Sequence, residues 1–505
     1  MSLATSARLL GIIVALATLL PGPSAATPQW NLRWRTDVRN VEFRGLELDS
    51  IPVTDAVADA DGRLFTPDGY AVRCPTGSAW CYFYRPGSEV HGVPVSTTAD
   101  FGAWGLGVPG LRVKASARIS DDVGRHEQWP GTDPPFRLLE GFVEWNRDLV
   151  RLQGGRLTDT GRFGYVQWDG ARGDVSVLDR RLRVGVYGGW GLARGTSLAI
   201  TDSALDPLDE FTPSSRQHLI GVDGGIRSGI VDLRFQYFRQ VDPDLEDLMT
   251  ERIGGDLALQ SGPLTLTAGS DWDLAFGEWG SAEVEGSWRI PVVGVSAGVK
   301  RYRPFFDLWT VWGAFSPVPY RSVHGRIVVA PVTGLELSAR GETWKYDETG
   351  ASSAFDTTRE EGERYTLRGT WVPVPGGTVS AGLHRTEGPG AGEYGWDLAG
   401  AWDFSDELGV AVDFGRLDRP LEMRYSDSEL WTLGLGGRWL PVRWIRLDAD
   451  VRHISEDRRR PDAASFDWSH MRYALAATFR FSGGKSLEPS VPPAVLQIPE
   501  RKVPR

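Results

Sequence analysis

The sequence predicts an all-β chain, a transmembrane antiparallel β-barrel of about 22 strands, in a range of roughly 18–24. Three observations predict it: an export signal at the N-terminus, segments of about ten residues that alternate apolar and polar, and links between them that are short and long in turn. A barrel wall needs only every second residue apolar, so it tolerates a chain that is 24% charged with a mean hydropathy below zero. Spanning helices need long charge-free runs and are excluded. The net charge of −11, without any basic run, argues against a nucleic-acid partner. Gly at 61 and Trp at 21 are both high, which suits crowded strands with tight turns and interfacial aromatic girdles.

In chain order, Arg8 supplies a positive n-region, Leu9 to Leu20 an apolar core, and Ser24, Ala25 and Ala26 a small-residue exit. That order reads as a signal peptide over 1–26, cleaved after Ala26 or one residue earlier. The apolar run is shorter than the ~20 residues a transmembrane anchor needs. As soluble domains, the residues that follow would make about three; as one barrel (27–482) they are a single unit.

The strands begin near Leu32, with an alternation that slips near Asn40. Leu46 to Gly92 reads as a long extracellular loop. It holds the only two cysteines, Cys74 and Cys81, in CPTGSAWC, which in an exported chain reads as a local disulfide. Two thiols without nearby His leave a metal shell open, so no metal site is expected. Leu111 to Ile119 sorts Leu111, Val113, Ala115, Ala117 and Ile119 from Arg112, Lys114, Ser116 and Arg118. Such sorting is a period of two. Gly and charges blur the period from Arg156 to Val177. Tyr394 to Phe404 and Ile445 to Arg452 restore it.

Short turns such as Val108-Pro-Gly110, Arg227-Ser-Gly229, Ser261-Gly-Pro263 and Ser405-Asp-Glu407 alternate with long links such as Thr196 to Arg216, Pro304 to Tyr320, Asp347 to Gly362 and Arg416 to Glu429. Periplasmic turns and extracellular loops alternate in this way. No motif recurs at a fixed 40–50 residues, as propeller blades would. The last strand, Met471 to Phe481, places Tyr473, Phe479 and Phe481 on one face and ends aromatic-x-aromatic, resembling the terminal signal that the barrel assembly machinery recognises. Residues 483–505 form a Pro-rich tail, read as a periplasmic extension.

Gly155-Arg-Leu-Thr-Asp-Thr-Gly-Arg-Phe-Gly164, followed by Trp168-Asp-Gly-Ala-Arg172, resembles the GR-then-DG-x-R pattern of porins of the alginate-export and related substrate-specific type. The resemblance implies a lumen lined by paired Arg and acidic residues; no substrate is carried over. The strand count also resembles that of TonB-dependent receptors, whose folded plug of ~150 residues has no room before the first strand here.

The polar faces put Arg112, Lys114, Arg118, Arg252, Arg326, Arg364, Arg368, Arg446 and Arg452 in the lumen against Asp271, Asp273, Glu283, Glu285, Asp397, Asp403, Asp448 and Asp450. Rings of one sign would make an ion filter. Mixed ladders instead suit bulky or neutral polar solutes, or brace and hydrate the wall. The expected function is a channel for passive passage of polar solutes, saccharide-like ones included; the alternative is a structural or adhesive surface barrel with an occluded lumen. A rim hydrolase is the enzymatic rival, with His453 near Asp448 and Asp450 as its only candidate pair. No phosphate loop, HExxH or nucleophile elbow occurs, so no enzyme activity and no cofactor are expected. Loop acids such as Asp202, Asp206, Asp209 and Glu210, or Asp242, Asp244, Glu246 and Asp247, could meet divalent cations at the lipopolysaccharide surface, or simply be solvated. The expected partners are outer-membrane lipid, lipopolysaccharide, the assembly machinery and an unidentified polar solute.

Overall fold

The computed structural model describes residues 28–58, 64–70, 72–123, 136–192, 217–241, 248–303, 319–347, 361–388, 391–421, 427–459 and 467–483. The expected signal peptide, the tail beyond Gly483 and the acidic loop clusters lie outside the described residues.

The wall consists of β1 (Gln29–Arg39) and then, after an excursion, β6 (Pro94–Trp104), β7 (Leu111–Asp122), β8 (Phe136–Arg147), β9 (Val150–Gly161), β10 (Gly164–Val177), β11 (Leu182–Gly191), β12 (His218–Ser228), β13 (Val231–Val241), β14 (Leu248–Ser261), β15 (Leu264–Asp273), β16 (Glu278–Arg289), β17 (Val293–Tyr302), β18 (Tyr320–Val332), β19 (Leu335–Tyr346), β20 (Glu361–Trp371), β21 (Gly377–Gly388), β22 (Ala391–Asp403), β23 (Leu408–Leu421), β24 (Asp427–Val442), β25 (Ile445–Arg459) and β26 (Trp468–Gly483). Each pairs antiparallel with its neighbour, and β1 closes the ring by pairing with both β6 and β26 in one 22-stranded sheet. Leu32 sits opposite Phe101 on one side and Phe481 on the other. Closure leaves no open edge in the sheet.

The period-two pattern sets the two faces. Ile220, Ile253, Val284, Val323, Leu367, Leu398, Leu435 and Leu475 are all exposed on the outside, which a soluble protein would not leave uncovered. Two aromatic girdles bound this apolar band. Near the short turns lie Trp288, Trp371, Trp402, Trp439 and Trp444. Near the long links lie the edge-on pair Trp272 and Trp279 (4.8 Å between centroids) and the group of Trp396, Phe414 and Trp431. On β24 the girdles are Trp431 and Trp439. Eight steps of ~3.3 Å at a tilt near 40° give a band of about 20 Å, close to the ~25 Å of an outer-membrane barrel.

Two places depart from a plain wall. The stretch expected as a loop over Leu46 to Gly92 is instead mostly paired: β2 (Val41–Pro52) and β5 (Trp80–Gly92) form a ribbon that continues the sheet past β1, with a small pair, β3 (Val57–Ala58) and β4 (Leu64–Phe65), near its tip. The disulfide Cys74–Cys81 is formed there, with Cys81 fully buried. The slip near Asn40 is the joint between wall and ribbon. Its side-chain amide donates to the Met471 carbonyl (2.8 Å) and accepts the Tyr473 N–H (2.5 Å), doing for β26 what a strand residue would. The link expected over Arg416 to Glu429 is also shorter, because β23 and β24 run on with Arg419 opposite Ser428.

Candidate functional site: a hairpin folded into the lumen

The second departure narrows the barrel. Pairing of β8 to β9 stops at Gly141 opposite Arg156, and pairing of β10 to β11 stops at Trp168 opposite Gly191. Beyond those points β9 and β10 pair only with each other, up to Gly161 opposite Gly164. The bend occurs where Gly155, Gly170 and Gly189 stand in one row across three strands. Gly155 (φ 132°) and Gly189 (φ 155°) hold conformations that side chains avoid, and a Cβ on Gly155 would lie 2.3 Å from the Gly141 carbonyl oxygen. Backbones can approach here only because the side chains are missing.

The freed arm turns inward and packs on the inner wall. Leu157, Phe163, Val166 and Trp168 bury themselves against Phe142, Tyr187, Leu219 and Phe238, with Trp168 and Phe238 each 1% exposed. Burying an apolar side chain stabilises by roughly 1.5–3 kcal/mol, so several hold the arm firmly. Trp168 and Tyr187 rings lie 4.8 Å apart, and the Arg252 guanidinium covers Phe163 at 4.9 Å.

Arg162 at the tip completes the dock. Its backbone N–H donates to Gln236 Oε1 (2.9 Å). Its guanidinium reaches Asp256 on β14 (2.9 Å), Glu283 on β16 (3.2 Å) and Asp271 on β15 (3.6 Å), and donates to Ser281 Oγ (3.0 Å) and the Gly255 carbonyl (3.2 Å). The side chain is 6% exposed. Asp271 is also paired with Arg252 at 2.5 Å. At the arm's root, Arg172 lies among Asp159 (3.3 Å), Asp174 (3.0 Å) and Asp223 (2.5 Å), and Asp174 also takes Arg151 and Arg183, both at 2.7 Å. Buried charges are tolerated when paired and hydrogen-bonded.

A 22-stranded barrel is about 40 Å across between backbones, from the strand spacing and usual tilt. The arm from Arg156 to Arg162 spans about 20 Å at ~3.3 Å per residue. It narrows the lumen from one side.

The residues expected in the lumen share the face opposite the apolar band. Arg112 pairs with Glu144 (3.4 Å) and Lys114 with Glu140 (2.5 Å), while Arg118 donates to Thr98 (3.4 Å). Glu285 meets His324 (2.9 Å), Arg368 meets Asp397 (3.5 Å), Asp403 meets Arg438 (2.8 Å) and Arg452 meets Asp413 (2.9 Å). Arg446 binds Asp448 on its own strand (2.8 Å), with Asp450 above on the same face. Arg364 donates to Thr386 (3.4 Å). Asp271 and Glu283 belong to the Arg162 dock. Asp273 instead caps the turn after β15, where its carboxylate accepts the N–H groups of Ala275 (3.0 Å) and Phe276 (3.2 Å). The His453 candidate does not assemble, because its ring meets Ser469 (2.9 Å) and, at an odd position of β25, lies across the sheet from Asp448 and Asp450. Arg162, Gly155 and Gly170 lie in the Gly155 to Arg172 stretch that the resemblance singled out, but their part in the bend and the dock, and those of Gly189 and Asp256 further along the chain, escaped the sequence reading.

No protein-family model matches the chain, and no curated protein matches it. Solved structures similar to it include Acinetobacter baumannii OccAB4 (TM-score 0.41, 9% identity, covering 92% of this chain and 100% of that one). Two from Pseudomonas aeruginosa are the outer membrane protein opdK (0.40, 12%, 90% and 99%) and OccK3, also called OpdO (0.39, 11%, 90% and 96%). At such values the functional reading rests on the lumen itself.

Proposed function

We propose that this chain is an outer-membrane channel that passes polar solutes passively, with the β9–β10 arm as its constriction. The observation that carries this reading is a closed sheet, too wide for side chains to fill, whose outer face is apolar between aromatic girdles and whose inner face is charged and paired. The mixed signs of the lining suit neutral or zwitterionic polar solutes better than a single-sign ion. In this reading the short turns lie in the periplasm, the β2–β5 ribbon and long links face outside against lipopolysaccharide, and the signal peptide directs export. Tyr473, Phe479 and Phe481 on β26 present the assembly signal outward, where Phe479 and Phe481 lie 6.4 and 5.8 Å from Trp444.

Single-channel recording of the refolded protein in a planar bilayer tests the proposal. Steady, discrete currents support it. A folded barrel that carries no current supports instead a surface barrel closed by its arm and loops.

A further inference from the structure

Tyr302, Tyr320 and Tyr346 stand directly opposite one another on β17, β18 and β19, and their ring centroids are 5.6 Å apart at each step. They occupy even positions, the inner face, because Val299, Val323 and Leu337 at odd positions form the outer surface. The outward residues at this level are charged: Asp347 lies between Arg301 (3.4 Å) and Arg321 (3.6 Å). A lipid girdle puts its aromatic rings outside. Here charge faces out and tyrosine faces in, so lipid does not explain the row.

Core packing does not explain it either. The three rings are half-buried, and no hydrogen bond holds their hydroxyls among the described residues. Trp344, two residues before Tyr346, extends the surface by lying over Gly362 and Gly388. A Cβ at Gly362 would fall 2.2 Å from the indole, so only glycine lets the ring lie flat on the wall. The charges beside the row carry both signs: Lys300 is 4.5 Å from the Tyr302 ring and Arg364 5.6 Å from Trp344, while on the same face Glu342 meets Arg340 (3.4 Å) and Glu283 meets Arg162 (3.2 Å). The row begins beside the constriction, since Tyr302 stands opposite Ser281, which holds Arg162.

We infer that this row is a stacking subsite for a neutral oligosaccharide, placed so that a sugar chain is held as it reaches the arm. Pyranose rings offer C–H faces to aromatic rings and hydroxyls to the tyrosine, ammonium, guanidinium and carboxylate groups at the edges. Three rings at this spacing extend for twice 5.6 Å, enough for more than one sugar ring. The inference rests on the channel reading and names its substrate class.

Calorimetric titration of the detergent-solubilised full chain with maltohexaose, cellohexaose and xylohexaose tests it. At least one should bind. Tyr320→Leu and Trp344→Leu should each weaken that binding up to about tenfold, the worth of one aromatic contact, while Tyr320→Phe, which keeps the ring, should stay close to the parent. Heat-dependent gel mobility checks that each variant is folded. Failure of all three sugars to bind, binding unchanged in both Leu variants, or binding of benzoate in place of any sugar overturns the inference. Binding by a protein that conducts no ions would sink the channel reading alone.

Discussion

Replacing Arg162 with alanine removes the charge that fixes the arm. The guanidinium is buried among Asp256, Asp271 and Glu283, and breaking such a pair typically costs about 3–5 kcal/mol. The lower end applies, because Asp271 keeps Arg252 and the other two carboxylates are each 48% exposed. About 3 kcal/mol shifts the ratio of docked to undocked arm roughly a hundredfold. Phe163 and Trp168 still favour docking, so the arm should fluctuate without leaving permanently. Single-channel recording should show larger and noisier currents for Arg162→Ala than for the parent, with Arg162→Lys between them, since one ammonium cannot serve three carboxylates. The difference should survive moderate salt, because the pair is little screened where it is buried. Identical current amplitude and noise in a folded Arg162→Ala barrel would refute the idea that this contact sets the constriction.

Gly155→Val should impair assembly, since the φ of 132° alone costs about 1–3 kcal/mol and the new Cβ meets the Gly141 carbonyl; the yield of heat-modifiable folded protein measures this. Leu435→Arg, on the outer face midway between Trp431 and Trp439, should lose about 2–4 kcal/mol of folding free energy in lipid vesicles, read by denaturant titration. Reducing Cys74–Cys81 should loosen only the ribbon, by roughly 2–3 kcal/mol. Trypsin should then cut faster at Arg73, which precedes Cys74, while the barrel's melting is unmoved.

The wall was legible because a strand with lipid on one side and water on the other must alternate. Leu111 to Ile119 does so residue by residue, and so does Ile445 to Arg452. Loops proved harder to read than walls. β2 and β5 pair with each other beyond the barrel, so neither face meets hydrocarbon and their composition resembles a link. The arm was hidden for a different reason. Past Gly155 the chain leaves the sheet's surface, so Leu157, Val166 and Trp168 face a packed interior, and the period of two no longer separates lipid from water. Nothing in the local pattern of Arg162 shows that its carboxylate partners lie 94 to 121 residues further on. The tyrosine row was obscured because each ring reads alone as a girdle residue. Its inward direction appears only once Val299, Val323 and Leu337 fix the outer face.

In a membrane-spanning barrel with a wet lumen, neighbouring residues of one strand meet two different solvents. Single spin labels at Leu398, Ala399, Gly400 and Ala401 on β22, in protein reconstituted in lipid, test this most directly by collision with oxygen and with a water-soluble nickel chelate. Labels at 398 and 400 should be reached by oxygen and shielded from nickel, and labels at 399 and 401 the reverse. Equal nickel access at all four would contradict the membrane-spanning barrel, and nickel excluded from all four would contradict the water-filled lumen.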